Sequence, residues 1–255
     1  MTAIPQGRTR RTARATAICA LAVTGVAVLG GCGGDDPDAG TNGVGKLPAE
    51  QIQTRTRAAA DGAAAVRLAG TVVTSGRTYQ LDMRLKADGG TGSVTAQGAT
   101  FQLLRVGQQL YLKADSDFWS HASGSGGDGG DGGGDGTAGK LNGKYVKVPQ
   151  TDPAYQRFSG FTDKSVLLDG LLALHGSLAT DGHHDQSGTP TIRITGDKGS
   201  GGTLDVSLQG TPYPLRLVRA GGAGALSFSD WGKDFTVTEP DQGDTVDYGR
   251  QLPTS

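Results

Sequence analysis

Tyr79-Gln80-Leu81-Asp82-Met83-Arg84-Leu85-Lys86 alternates large apolar with polar side chains over eight residues. A period of two puts Tyr79, Leu81, Met83 and Leu85 on one face, the mark of a half-buried β-strand. Further strand candidates precede and follow it at Leu68–Thr74, Gly92–Gln97, Thr100–Val106, Gln109–Ala114 and Lys144–Val148. Later candidates are Thr191–Thr195, Gly202–Gln209, Pro214–Arg219, Ala225–Ser229 and Asp234–Thr238. The connections are short and rich in glycine and polar residues, and Gly107-Gln108 reads as a tight hairpin turn. Strands of this kind build an antiparallel meander that is buried on one side.

Two stretches break the period of two. Before the first strand, Pro48 suits a first helical turn and good helix formers continue to about Ala60. Between the two runs of strands, residues 152–180 turn helical. Asp152-Pro153 reads as a cap followed by proline, and Asp163 caps a segment bearing Val166, Leu167, Leu168, Leu171, Leu172, Leu174 and Leu178. That second helix is apolar around more than one face, so it must be sandwiched, and the sheet is the available partner. The Gly/Asp/Ser tract at 121–139 has no apolar residue larger than alanine between His121 and Lys140. It cannot pack calcium-binding β-roll turns on Asp128, Asp131 and Asp135, and reads as a disordered loop.

The N-terminus sets the address. Arg8, Arg10, Arg11 and Arg14 precede an apolar run from Ala15 to Leu29, which leads into Leu29-Gly30-Gly31-Cys32. This is the layout of a bacterial lipoprotein signal, with residues 1–31 as leader and Cys32 as the lipidated, diacylglyceryl-bearing first residue of the mature chain. The apolar run is shorter than the roughly 20 residues of a membrane span. Residues 32–46 then read as a flexible tether, 47–248 as the domain and 249–255 as a tail.

Lys and Arg total 24 and Asp and Glu 25, and the leader takes four arginines and no acid. The mature chain is therefore mildly acidic, about −5, which argues against nucleic acid as a partner and offers no basic stripe to a membrane. The acyl chains on Cys32 must hold it there. The chain has two cysteines, one in the leader and one at the lipidation site. That leaves no thiol for a disulfide or a metal, and the domain folds on its core alone. Asp181, His183, His184 and Asp185 read as a solvated loop, because adjacent histidines seldom converge on one ion. No Gly-x-Ser-x-Gly elbow and no His-Glu-x-x-His occurs, so the reading is non-enzymatic, with no metal and no cofactor. Trp119 and Trp231 suit either a cavity mouth or ordinary packing.

The order of these elements resembles the LppX/LprAFG family of actinobacterial lipoproteins, which are related in fold to the LolA/LolB carriers. The local matches are Val106-Gly107-Gln108-Gln109-Leu110-Tyr111-Leu112-Lys113, Lys144-Tyr145-Val146-Lys147-Val148-Pro149 and Leu226-Ser227-Phe228-Ser229-Asp230-Trp231-Gly232-Lys233, together with the leucine-rich helix after Asp163. The resemblance implies an α+β fold, a strongly curved antiparallel sheet (a half-barrel) with helices across its concave face. It also implies an apolar cavity for the acyl chains of a lipid or lipoglycan, on the outer face of the cytoplasmic membrane, with an envelope transporter as a further partner. Candidate cavity residues are Leu81, Met83, Leu85, Phe101, Leu103, Leu110 and Leu112 from the strands and Val166, Leu167, Leu171 and Leu174 from the helix. A filled core selects the same side chains. The alternative is therefore a structural or signalling envelope lipoprotein that meets a protein partner.

Overall fold

A computed structural model describes residues 37–123 and 134–247. The leader, Cys32, Asp128, Asp131 and the tail from 248 lie outside the described residues, and the described residues form one compact unit by their own contacts. The chain runs through α1 (Ala49–Gly62), β1 (Ala65–Thr74), β2 (Arg77–Lys86), β3 (Gly89–Ala96), β4 (Ala99–Val106) and β5 (Gln109–Ala114). There follow α2 (Ser116–Ser123), α3 (Gly134–Leu141), β6 (Tyr145–Val148), α4 (Pro153–Thr162) and α5 (Lys164–Leu171). The second run of strands is β7 (Leu178–Gln186), β8 (Thr189–Gly196), β9 (Thr203–Ser207), β10 (Pro214–Val218), β11 (Ala225–Ser229) and β12 (Thr245–Asp247).

Among the described residues, the twelve strands form one curved sheet in the order β12-β6-β5-β4-β3-β2-β1-β11-β10-β9-β8-β7. Every pairing is antiparallel except β12 with β6, which is parallel. The two ends of the sheet do not meet, so the barrel stays open, and the architecture is the expected α+β half-barrel.

Register explains the core. Phe228, Leu68, Met83, Gly92, Leu103, Leu112 and Val146 are partners in one row across seven strands. Since side chains alternate along a strand, one such row places a whole face inward. Gly92 is needed in this row, because a Cβ there would press into the Met83 sulfur and the backbone of β2. Helix α4 lies against β2, β3 and β4, α2 against β4, and α1 against β7 and β8. Asp152 and Asp163 cap α4 and α5 as expected, accepting from the N–H groups of Ala154 (2.7 Å) and Val166 (3.0 Å).

Four stretches differ from the sequence expectation. Residues 178–186, read as a helix end and a loop, form edge strand β7. Helix α5 ends at Leu171, and Gly176 turns the chain at φ +78°. An edge strand with polar residues on both faces carries no alternation to detect. Residues 234–238 form no strand, and the closing pairing among the described residues is made by β12. Residues 134–139, read as part of a disordered loop, belong to α3, whose Ala138 and Leu141 are buried. The tether reading also ends early. From Pro37 the chain is packed on the sheet, with Val44 buried and the Asn42 amide donating to the carbonyls of Ser207 and Gly210.

Leu103 sits in the inward row with no exposed surface. Replacing it with Ala is expected to lower stability by about 2–5 kcal/mol in urea unfolding, the transfer plus cavity cost of a buried leucine. A loss below about 1 kcal/mol would contradict this packing.

Candidate functional site

Seven of the candidate residues share the concave face and are packed there. Leu81, Met83, Leu85, Phe101, Leu103, Leu110 and Leu112 are all buried beneath the helices, within one continuous apolar cluster. Of the helix candidates, Leu171 is buried, while Leu167 and Leu174 are half-buried against that cluster. Val166 is 60% exposed and faces away from the sheet, so it lines no interior surface. A helix apolar around more than one face leaves one such residue outside, and sequence spacing does not say which.

Helix α5 is held at both ends. At its start, Asp163 caps Val166 and also accepts from the Ser165 hydroxyl at 2.7 Å. Burial disfavours the ionised Asp163 carboxylate, but the Val166 and Ser165 donors and the Arg105 cation outweigh it and hold its pKa below the usual range. Arg105 stands on the inward face of β4, buried, and donates through Nε and Nη2 to the Thr162 carbonyl (3.2 and 3.0 Å) and through Nη1 to that of Gly107 (2.9 Å). Lys164 is likewise buried, and its Nζ donates to the carbonyls of Ala60 (3.1 Å) and Asp61 (2.8 Å) at the end of α1. Cations at a helix C-terminus satisfy carbonyls that have no partner within the helix. Beyond α5, the Leu174 N–H donates to Gln53 Oε1 (3.1 Å) and the His175 N–H to the Gly201 carbonyl (3.0 Å).

This anchoring leaves a hollow of about 190 Å³ where the end of α5 meets the turns after β8 and β10. Leu171, Ala173, Leu174, Leu217 and Ala220 supply its apolar wall, Gly201 closes it from the turn, and His175 and Arg219 stand at it as polar groups. Gly201 is required there, because a Cβ would run into the His175 carbonyl. Arg219 was not singled out by sequence, since an arginine ending a strand before Gly221-Gly222 looks like any surface residue. Arg105 did carry a signal: it occupies an inward position of an alternating strand.

A second, larger hollow of about 480 Å³ lies on the convex face, lined by Arg67, Asp82, Arg84, Ser93, Gln102 and Asp230 among others. Its charges are largely compensated. Arg67 donates to both oxygens of Asp82 (2.9 and 2.8 Å), an arrangement that holds the Asp82 pKa below its usual range. Asp230 takes Lys233 at 2.8 Å, and Arg84 lies 4.5 Å over the Phe235 ring.

His183 and His184 do not converge on one site. His183 Nε2 meets Asp38 Oδ1 at 3.0 Å, while His184 Nε2 meets the Asp181 carbonyl at 2.9 Å. Both tryptophans are packing residues. Trp119 is fully buried edge-on to Phe118, and Trp231 stacks on Tyr213 at 4.8 Å and donates to the Pro214 carbonyl.

The Asp163 cap gives a test of how α5 is positioned. Asp163→Ala should cost about 1 kcal/mol at neutral pH. The folded-state pKa is depressed, so this stabilisation is present above the unfolded value and is lost as pH falls through the folded one. The gap between variant and wild type, read by urea unfolding, should therefore narrow below about pH 4. A gap that does not change with pH would contradict a charged cap.

No family model matches the sequence, and no curated protein is significantly similar to it. Among solved structures, the chain is similar to LprF from Mycobacterium bovis, at 16% identity and a TM-score of 0.52, covering 75% of this chain and 96% of that one. It is also similar to the Mycobacterium tuberculosis lipoprotein LppX, at 16% identity and a TM-score of 0.43, covering 74% and 99%. Among the described residues, no helix is long and apolar enough to cross a membrane. The chain therefore has the open α+β half-barrel fold seen in LprF, and resembles the LppX/LprAFG lipoproteins in its architecture.

Proposed function

We propose that this chain is a non-enzymatic lipoprotein, anchored through Cys32 on the outer face of the cytoplasmic membrane, that binds the acyl part of a lipid or lipoglycan. The observation that carries this reading is the hollow at the end of α5, with leucine and alanine walls and polar groups beside them. Each methylene buried there is worth about 0.8 kcal/mol, so a short length of acyl chain suffices for useful binding. The likeness in fold to LprF is consistent with the same reading. An envelope transporter is the partner that would take such a ligand onward.

One observation favours a second reading. The seven strand candidates fill the space beneath the helices and are buried there. That suits an envelope protein with a filled core and a protein partner. Native mass spectrometry of the chain from Pro37, secreted by a bacterial host, separates the two readings. A lipid of stoichiometric mass that survives purification, or is taken up when added, is the expected result. Bare protein that takes up no added lipid would overturn lipid binding in favour of the filled core.

A further inference from the structure

Arg219 is the unusual member of the α5 hollow. Its Nη1 donates to the Val73 carbonyl at 3.2 Å, which uses one of the five N–H donors of a guanidinium. No carboxylate pairs with it among the described residues, and no residue lining the hollow carries one. Asp169, next in sequence to Gly170, and Asp197, in the turn before Gly201, have other partners. Asp169 pairs with Arg57 at 2.8 Å, and Asp197 accepts from the Ser177 N–H at 2.9 Å. The mature chain is acidic overall, so this arginine is not part of a basic field that holds anions unselectively. A half-buried cation beside an apolar wall gains most from an anion that brings apolar surface with it.

We propose that the α5 hollow selects a single-chain anionic amphiphile, its acyl chain against Leu174, Ala173 and Ala220 above the buried Leu171 and Leu217, and its carboxylate or phosphate head on the Arg219 guanidinium. This rests on the acyl-binding reading and names its ligand class. A planar fork of donors matches either head in a bidentate arrangement, and a neutral glycerol head lacks the charge that strengthens those bonds.

The test is isothermal titration of the chain from Pro37 with dodecanoate, monododecyl phosphate, neutral 1-dodecanoylglycerol and acetate, each below its micelle threshold. At least one of the two anionic dodecyl compounds should bind about tenfold or more tighter than the neutral one, and the tighter of the two identifies the head. Arg219→Gln should erase that preference while leaving the neutral compound unchanged. Should that variant fail to fold, the wild-type comparison decides alone. Equal affinity for neutral and anionic compounds would overturn the anion selectivity and leave acyl binding standing. Acetate binding as tightly as dodecanoate would overturn the amphiphile and leave a free-anion site. No binding by any dodecyl compound to the folded protein would overturn this inference and the acyl-binding reading together.

Discussion

A sheet twelve strands wide with one apolar face cannot stand in water uncovered, and the remaining elements answer that constraint. Phe228, Leu68, Met83, Leu103, Leu112 and Val146 stand in one register row, with Gly92 among them, and α1, α2 and α4 lie on strands of that sheet. Helices of eight to fourteen residues are marginal by themselves, so their stability comes from this packing. Two buried cations fix where they sit. Arg105 reaches from the sheet to the end of α4, and Lys164 from α5 to the end of α1. A buried charge without partners would cost several kcal/mol, and here helix-terminal carbonyls supply them.

The strands that bury one face were legible because alternation survives in them. Tyr79–Lys86 is the clearest case, and its inward set Leu81, Met83 and Leu85 is buried. The capped starts of α4 and α5 were legible from Asp152-Pro153 and Asp163 for an equally local reason: a side-chain oxygen within reach of free N–H groups. What escaped the sequence depends on distant contacts. Strand β7 is polar on both faces because it is an edge, so nothing in Leu178–Gln186 announces its pairing with β8. The parallel β12–β6 pair joins residues about a hundred positions apart, and no local pattern encodes it.

The candidate site divides along the same line. Its strand residues form an inward set that is packed beneath the helices. The hollow arises from how the end of α5 meets two turns, a juxtaposition set by the His175–Gly201 and Leu174–Gln53 hydrogen bonds. Leu171 and Leu174 were legible as members of an apolar helix. Arg219 was not, since its significance lies in having no carboxylate partner among the described residues.

On the reading proposed above, an acyl chain enters at the end of α5 while the middle of the sheet stays filled. Methyl NMR with a nitroxide-labelled dodecyl carboxylate tests it most directly. Broadening centred on the methyls of Leu171, Leu174 and Leu217, with those of Leu103 and Leu112 preserved, is expected. Broadening centred on Leu103 and Leu112 beneath the helices, or none that is selective, would contradict it.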